Sequence, residues 1–287
     1  MLSLIICSRT KDLPLSLKEN IESTIGAEYE LVVIDNSKNQ YSIFSAYNEG
    51  VRRSKGDLLC FMHDDIMYDA VGWGNNVVRH FDDPNTGLIG VFGGHYLPDT
   101  VCHVFDSELF SWNFRQIVGE GIEDRMSKSH FGNAGEVEAV AVDGIWFVVR
   151  KQLFDKISFD ERYRGFHYYD MDICMQVWAN GYKCKTVDDI HLTHVSNGGY
   201  NDDFVFNSYR FYEKWKSCLP MKKGLFYDEE TYHVAGMLCQ FRRYSRELEL
   251  ENQKLRVLGK SPLLKTMKRL DRIKNKFHKA WKRIFPK

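Results

Sequence analysis

The sequence has no apolar run near the length needed to cross a bilayer. None of its hydrophobic segments approaches the roughly 20 residues of a membrane-spanning helix. The first nine residues, Met1 to Arg9, contain no basic stretch ahead of their few apolar residues. We therefore expect this segment to be a first strand rather than a signal peptide, and any membrane contact to be peripheral.

The seven cysteines lack the spacing of a disulfide framework or a zinc site. Their number is odd, they are scattered, and no C-x-x-C pair occurs among them. This pattern argues against a secreted disulfide scaffold and favours reduced thiols in a cytosolic compartment.

Net charge is also absent, because 39 Lys and Arg residues balance 39 Asp and Glu residues. The balance is uneven, since Asp271 is the single acidic residue between Lys254 and Lys287 and the rest of the chain must be net acidic. Such a basic tail can lie on an anionic membrane, bind nucleic acid or pack against the rest of the chain. We favour the membrane surface and expect no nucleic-acid partner, which predicts a cytoplasmic protein peripheral to the membrane. The apolar residues of the tail recur at helical steps of three and four, and they are Leu263, Met267, Leu270, Ile273, Phe277, Trp281 and Ile284.

At 287 residues and 44% hydrophobic content, the chain can bury the core of one large domain with an appendage. We predict a first domain over residues 1–215 and a helical extension over residues 216–287. The long charged helix predicted from Glu229 to Leu258 is typical of packing or dimerising helices, so a homodimer stays open.

Short apolar runs alternate with helical segments in the first 62 residues. Strands are predicted at Leu2 to Cys7, Glu30 to Asp35 and Leu58 to Met62, with helices at Leu15 to Ser23 and Ser42 to Lys55. This alternation predicts an α/β fold with a mainly parallel sheet flanked by helices.

The middle of the chain, Asp69 to Gly135, reads as loop-rich with one strand at Leu88 to Phe92. The aromatic residues of Phe110 to Gly135 favour an ordered binding loop. The elements predicted after this region are strands at Val137 to Val142, Ile145 to Arg150 and Lys183 to Val187, a short helix at Lys151 to Lys156, and helices at Met171 to Asn180 and Asp202 to Trp215.

The third strand ends abruptly in His63-Asp64-Asp65. Ligands of open α/β sheets bind beyond the carboxyl ends of strands, and paired carboxylates there attract divalent cations that hold phosphate oxygens. Asp35 ends the preceding strand in the same way. By itself, such a stretch is equally typical of an acidic turn exposed to water and of a cation-binding site. We therefore interpret it from the motifs around it.

Those motifs follow one another in a specific order. After the first strand come IDNS at Asp35, AYNEG at Asn48, GDLLCFMHDD, VDGIWFVVRKQLFDKISFDERY, YYDMDICMQVWANGY and finally His194. Over roughly residues 1–200 this order resembles the nucleotide-sugar glycosyltransferases of glycosyltransferase family 2, which have the GT-A fold.

The resemblance implies roles for individual residues. Asp170 would be the catalytic base, Asp65 and His194 would bind a divalent cation, Mn²⁺ or Mg²⁺, and Asp35 would contact the base of the nucleotide. The residues assigned to the nucleoside-diphosphate sugar, with a UDP-sugar favoured, are Ser8, Arg9, Asp35, Asn48, His63 and Asp64.

Three positions depart from the family pattern. His63 stands at the first acidic position of the D-x-D motif, and Tyr169-Asp170 replaces the usual Glu-Asp pair. Tyr47 stands where an Arg often faces phosphate. Magnesium prefers oxygen ligands, so the imidazole of His63 favours manganese.

The resemblance therefore implies a metal-dependent, inverting hexosyltransferase of the kind that builds surface polysaccharides or glycoconjugates on glycan or lipid-linked acceptors. A non-catalytic module that binds sugar nucleotides or glycans is the alternative that the departures encourage. A nucleotidyltransferase is disfavoured because the segment Ser8 to Pro14 has no glycine for a phosphate loop.

Overall fold

The computed structural model describes residues 1–118, 121–123, 135–195, 199–257, 272–274 and 276. The chain divides into two compact units, Met1–Cys239 and Gln240–Lys287. The first unit extends beyond residue 215, since Met221–Lys222 pair with Tyr96–Leu97 and Tyr232 is buried. Apart from residues 272–274 and 276, which are helical, the basic tail beyond Val257 lies outside the described residues.

Strands and helices alternate through the first unit. In the described residues the strands are β1 (Leu2–Ser8), β2 (Tyr29–Asp35), β3 (Leu58–Met62), β4 (Ile66–Tyr68), β5 (Thr86–Gly90), β6 (Phe92–Gly94), β7 (Tyr96–Leu97), β8 (Phe110–Trp112), β9 (Phe114–Val118), β10 (Gly121–Glu123), β11 (Glu136–Glu138), β12 (Ala141–Val142), β13 (Trp146–Arg150), β14 (Lys183–Val187), β15 (Leu192–Val195) and β16 (Met221–Lys222). The α-helices are α1 (Leu15–Thr24), α2 (Ile43–Arg53), α3 (Trp73–His80), α4 (Tyr169–Ala179), α5 (Asp202–Trp215) and α6 (Glu229–Val257), with short 3₁₀ helices at Val104–Ser107, Lys151–Asp155 and Lys216–Cys218.

The largest sheet has seven strands in the order β11-β14-β5-β13-β3-β1-β2. Strands β2, β1, β3, β5 and β14 run in one direction, while β13 and β11 run in the other. The sheet is therefore mainly parallel, and the α/β fold predicted from the sequence is confirmed.

Both faces of this sheet are buried, which explains the continuous apolar runs of its strands. In β1, Leu4 faces one hydrophobic cluster and Ile5 the other. Helix α1 covers the first face with Leu17, and α2 covers the second with Phe44. Each such fully buried side chain stabilises the fold by about 1.5–3 kcal/mol.

A second sheet, with strand order β10-β9-β15-β4, continues from the end of β3. Strand β4 pairs antiparallel with β15, which pairs parallel with β9. The described residues of the first unit also form two small sheets, β12-β6-β8 and β16-β7. No helix in the described part of the chain is both long and apolar enough to cross a membrane.

The middle region, as far as the structure describes it, is less rich in loops than predicted. It contains α3, in which Trp73 and Val77 are buried, and short strands from β5 to β10. The strand predicted at Leu88 to Phe92 is divided at Val91 between two sheets. Residues 119–120 and 124–134 of the predicted binding loop lie outside the described residues.

The prediction of a single strand from Val137 to Val142 is wrong. This segment contains two strands: β11, which pairs with β14 in the central sheet, and β12, which pairs with β6 in a small sheet. The buried residues Ala139 and Val140 separate the two strands, so the apolar run continues through a change of sheet.

Helix α3 is tied to the central sheet by charged side chains. His80 Nδ1 lies 2.9 Å from Glu136 Oε2, and His80 Nε2 lies 2.8 Å from Asp189 Oδ1. Lys185, which is 6% exposed, donates to both Glu136 and Asp83. Burial on its own would lower the pKa of His80, but hydrogen bonds to Asp189 and Glu136 outweigh it and raise the pKa to about 9.

We predict that His80→Gln destabilises the protein in a pH-dependent way. Because the pKa of His80 is raised on folding, its contribution is complete below about pH 6.5 and is lost as the pH rises to about 9. The shift corresponds to roughly 3 kcal/mol at most. Urea unfolding of both proteins at about pH 6 and about pH 9.5 measures this, with the exposed His233→Gln as the control. An equal loss at both pH values would contradict the assignment.

Candidate active site

Three neighbouring parallel strands end together at one edge of the central sheet. The register places Ser8 of β1 opposite Asp35 of β2, and β3 follows on the other side of β1. Ser8 Oγ is buried and donates a hydrogen bond of 2.8 Å to Asp64 Oδ2. Three residues assigned to the sugar nucleotide, Ser8, Asp35 and Asp64, therefore lie on adjacent strand ends.

His194 reaches the same edge through the second sheet. The register places it opposite Ile66, one residue after Asp65, and the Asp65 carbonyl accepts a hydrogen bond from Val195 N. On its other side, β15 places His194 opposite Gln116, whose Oε1 lies 3.0 Å from His194 Nδ1. Strand pairing thus fixes His194 between a carboxylate and an amide.

His63, Asp65 and His194 form one compact group whose ligand atoms lie within 4.8 Å of one another. Asp65 Oδ1 lies 3.3 Å from His194 Nε2 and 3.6 Å from His63 Nδ1, and the two nitrogen atoms are 3.4 Å apart. His63, assigned from the sequence to donor binding, thus joins the two residues assigned to the metal.

The outer hydrogen bonds of this group indicate where its protons lie. Tyr169 OH donates to the Gly144 carbonyl at 3.1 Å, so its oxygen accepts from His63 Nε2 at 3.2 Å. Gln116 Oε1 accepts from His194 Nδ1. With these tautomers, His63 Nδ1 and His194 Nε2 turn their lone pairs toward Asp65.

This arrangement fits a divalent cation. Asp65 Oδ1 is buried, and no described residue gives it a hydrogen bond. Two imidazole nitrogens and a carboxylate oxygen are suitable metal ligands, and partners at the far ring nitrogens commonly orient such histidines. A proton turned inward on an imidazole is the other source of positive charge at Asp65. Burial alone would raise the pKa of Asp65, but in that protonation state hydrogen bonds from His194 and His63, together with the charge of the rings, lower it below its usual range.

Asp170, the predicted catalytic base, lies in the first turn of α4. The helix begins at Tyr169, two residues earlier than the sequence predicts, and Tyr168 occupies the N-cap with a left-handed φ of 72°. Asp170 Oδ2 accepts from Gly144 N at 2.9 Å and Oδ1 accepts from Met171 N at 2.8 Å. Burial, followed by the charge of Asp143, raises the pKa of Asp170 to about 7.

Gly144 joins the predicted base to the group around Asp65. Its N–H donates to Asp170 and its carbonyl accepts from Tyr169, which contacts His63. A Cβ at Gly144 would collide with the hydroxyl of Tyr169, so a glycine is required for this close approach. The hydrogen-bonded connection therefore runs from Asp170 through Gly144 and Tyr169 to His63.

The remaining predicted donor-binding residues have other surroundings. Asn48 is engaged with the segment after the 3₁₀ helix, since its amide donates to the Phe159 carbonyl and to Glu161 and accepts from Phe159 N. Asp35 accepts from Ser37 N at 2.9 Å, and Arg9 is exposed just beyond β1. The structure brings none of these three into the group around Asp65, and their roles stay predictions.

Three residues of the site were missed by the sequence reasoning. Gln116 lies in the region predicted as a loop, so nothing indicated its pairing with His194. Tyr169 was recognised only as a departure, and Gly144 only as part of a strand end. Phe166, which is 41% exposed with its ring 5.4 Å from that of His63, lies beside the site as well.

Family membership follows from residues 4–198, which match a family model described as a glycosyltransferase-like family. The match covers more than half of the chain, so the protein belongs to this family. A search of curated proteins finds no match.

Solved structures share the fold at low sequence identity. The structure of GalNAc-T7 with UDP, GalNAc and Mn²⁺ superposes with a TM-score of 0.51 at 16% identity, over 75% of this chain and 48% of that one. Residues 1–349 of S. aureus TarS give a TM-score of 0.52 at 12% identity, over 85% and 72%. The same TarS fragment in complex with UDP-GlcNAc gives 0.51 at 13% identity, over 88% and 72%.

The protein thus spans about half of the GalNAc-T7 chain. Family and fold together place it among the glycosyltransferases with the GT-A fold, as the sequence predicts.

Proposed function

We propose that the protein transfers a hexose from a nucleoside-diphosphate sugar to an acceptor hydroxyl, with inversion at the anomeric carbon. The UDP present in the GalNAc-T7 structure and the UDP-GlcNAc present in the TarS structure support a UDP-sugar as donor. The acceptor class is a glycan or lipid-linked glycan, as in surface polysaccharide or glycoconjugate synthesis.

The observation that carries this proposal is the connection from the half-buried carboxylate of Asp65 to the buried carboxylate of Asp170. Asp65, His63 and His194 would hold a divalent cation, Mn²⁺ or Mg²⁺, whose positive charge stabilises a departing diphosphate. Ser8 and Asp64 lie on the adjacent strand ends, where the nucleotide of the donor would bind.

Asp170 would accept the proton of the acceptor hydroxyl as that hydroxyl attacks. A general base works best when its pKa is near the working pH, and burial gives Asp170 such a value. Each of its oxygens accepts one backbone N–H and keeps a second lone pair for a proton. A single base acting on the acceptor, without a covalent intermediate, inverts the anomeric configuration.

Our prediction for the metal site is that Asp65→Ala abolishes Mn²⁺-dependent binding of UDP. The substitution removes the carboxylate common to both imidazole contacts. Asp64→Ala should cause a smaller loss, because Asp64 bonds to Ser8 and lies outside the group. Calorimetric titration of UDP with and without Mn²⁺ measures both effects, and unchanged affinity in Asp65→Ala would disprove the metal assignment.

For the base, we predict that Asp170→Asn lowers turnover by about 100-fold or more while UDP affinity survives. The amide of asparagine cannot take the proton. Because its NH₂ group cannot accept a hydrogen bond, the variant also loses one of the two backbone hydrogen bonds of Asp170. Thermal melting must therefore show that the variant is folded. In the wild type, turnover should fall as the pH drops below about 7, because Asp170 becomes protonated. Normal turnover of a folded variant at saturating acceptor would place the base elsewhere.

We also propose that the basic tail binds an anionic membrane surface on the cytoplasmic side. Its support is the sequence alone: an apolar stripe that includes Phe277 and Trp281, flanked by positive charge that only Asp271 opposes. Each Lys or Arg near such a surface contributes about 1 kcal/mol.

Truncation after residue 262 tests this proposal. The truncated protein should bind UDP as before but no longer sediment with anionic vesicles, and raised salt should detach the full chain because it screens charge. Neutral vesicles are the control. Equal sedimentation of both proteins would disprove the proposal, as would a loss of folding in thermal melts, which would show that the tail covers an apolar face.

A further inference from the structure

The three departures from the family pattern lie in contact with one another. His63 Nε2 is 3.2 Å from Tyr169 OH, and the rings of Tyr47 and Tyr169 meet edge to face at 5.5 Å. In the sequence these positions are far apart and were recognised separately. In the structure they form one unit, in which a change at one position bears on the others.

Tyr169 is held rigidly within this unit. Its side chain is buried among Phe44, Tyr47 and Phe147, so the ring cannot turn away from His63. Its hydroxyl donates to the Gly144 carbonyl and is left with lone pairs on the side of His63. A hydroxyl so placed accepts a hydrogen bond from His63 and gives none to it, which keeps a proton on His63 Nε2.

We propose that Tyr169 is a positioning residue that presents Nδ1 of His63 to the cation site as a nitrogen ligand and thereby selects Mn²⁺ over Mg²⁺. This inference rests on the cation site of the proposed function. A carboxylate at residue 63 would add a hard oxygen ligand and a negative charge, which suit Mg²⁺. An imidazole with Nδ1 free toward Asp65 favours a cation that accepts nitrogen ligands.

A purely structural reading of Tyr169 is that it fills the core and satisfies its hydroxyl on Gly144 alone. The two interpretations differ in how Tyr169 and His63 depend on each other. If Tyr169 acts on the cation through His63, removing its hydroxyl matters only while His63 is present. If it acts through packing, its loss has the same effect in either background.

The experiment is a double-mutant cycle on Mn²⁺ affinity without any donor or turnover. Free Mn²⁺ is followed by electron paramagnetic resonance in the wild type, Tyr169→Phe, His63→Ala and the double variant. We expect Tyr169→Phe to weaken Mn²⁺ binding about tenfold, as for other partners of metal-bound histidines. In the His63→Ala background the same change should have no further effect.

The control is Tyr163→Phe. Tyr163 is also buried, and its hydroxyl also donates a single hydrogen bond, at 3.1 Å to Asp172 Oδ1, outside the group around Asp65. Its loss should leave Mn²⁺ affinity unchanged. Thermal melting of every variant separates a loss of metal binding from a loss of folding.

The selectivity is tested by competition between Mg²⁺ and Mn²⁺ in the wild type and in His63→Asp. The ratio of the two affinities should move toward Mg²⁺ in the variant. Equal Mn²⁺ affinity in Tyr169→Phe and the wild type, or an equal loss in both backgrounds, would overturn the positioning role and leave the proposed function standing. A wild type that binds no Mn²⁺ would overturn the cation site and this inference together.

Discussion

The site depends on one buried carboxylate oxygen that accepts no hydrogen bond from the described residues. Asp65 Oδ1 lies between two imidazole nitrogens whose outer hydrogen bonds turn their lone pairs inward. The Asp65 side chain as a whole is 36% exposed, but this oxygen is shielded from water, so positive charge beside it, from a cation or a protonated imidazole, is stabilising. His63 and His194 bring their nitrogen atoms to this point, and Tyr169 and Gln116 contact the outer nitrogen of each ring.

Three separate parts of the chain build the surroundings of this oxygen, and packing holds each of them in place. Strand β3 is buried along its whole length, which fixes the direction in which His63 and Asp65 leave the sheet. Antiparallel pairing with β4 and parallel pairing with β9 fix His194. The left-handed residue Tyr168 sets the start of α4, and with it Tyr169 and Asp170. Such support by regular elements keeps the ligands close to the geometry that a cation needs.

Local sequence patterns were enough to predict the parallel core and its acidic strand end. Strands β1 and β3 are short apolar runs buried on both faces, β2 is a similar run that is only partly buried, and His63 to Asp65 follow β3 directly. Helix α3 was missed because it is only eight residues long and begins after Gly72, which offers no side-chain cap to mark its start. The start of α4 was predicted two residues too late, at Met171, because a left-handed tyrosine before a helix has no sequence signal. The contact of Gln116 with His194 depends on strand pairing across 78 residues, which no local pattern contains.

The same departures bear on the choice between an enzyme and a non-catalytic binding module. In a site that has lost its chemistry, replaced side chains have no reason to satisfy one another, yet Tyr169 and His63 share a hydrogen bond. Asp65 and Asp170 are both retained, and Asp170 is buried in surroundings that raise the pKa of its carboxyl to about 7. Burying a carboxylate in this way costs stability, and a module that only binds sugar nucleotides gains nothing from it. A catalyst does, because a base with that pKa can both take up and release a proton at neutral pH.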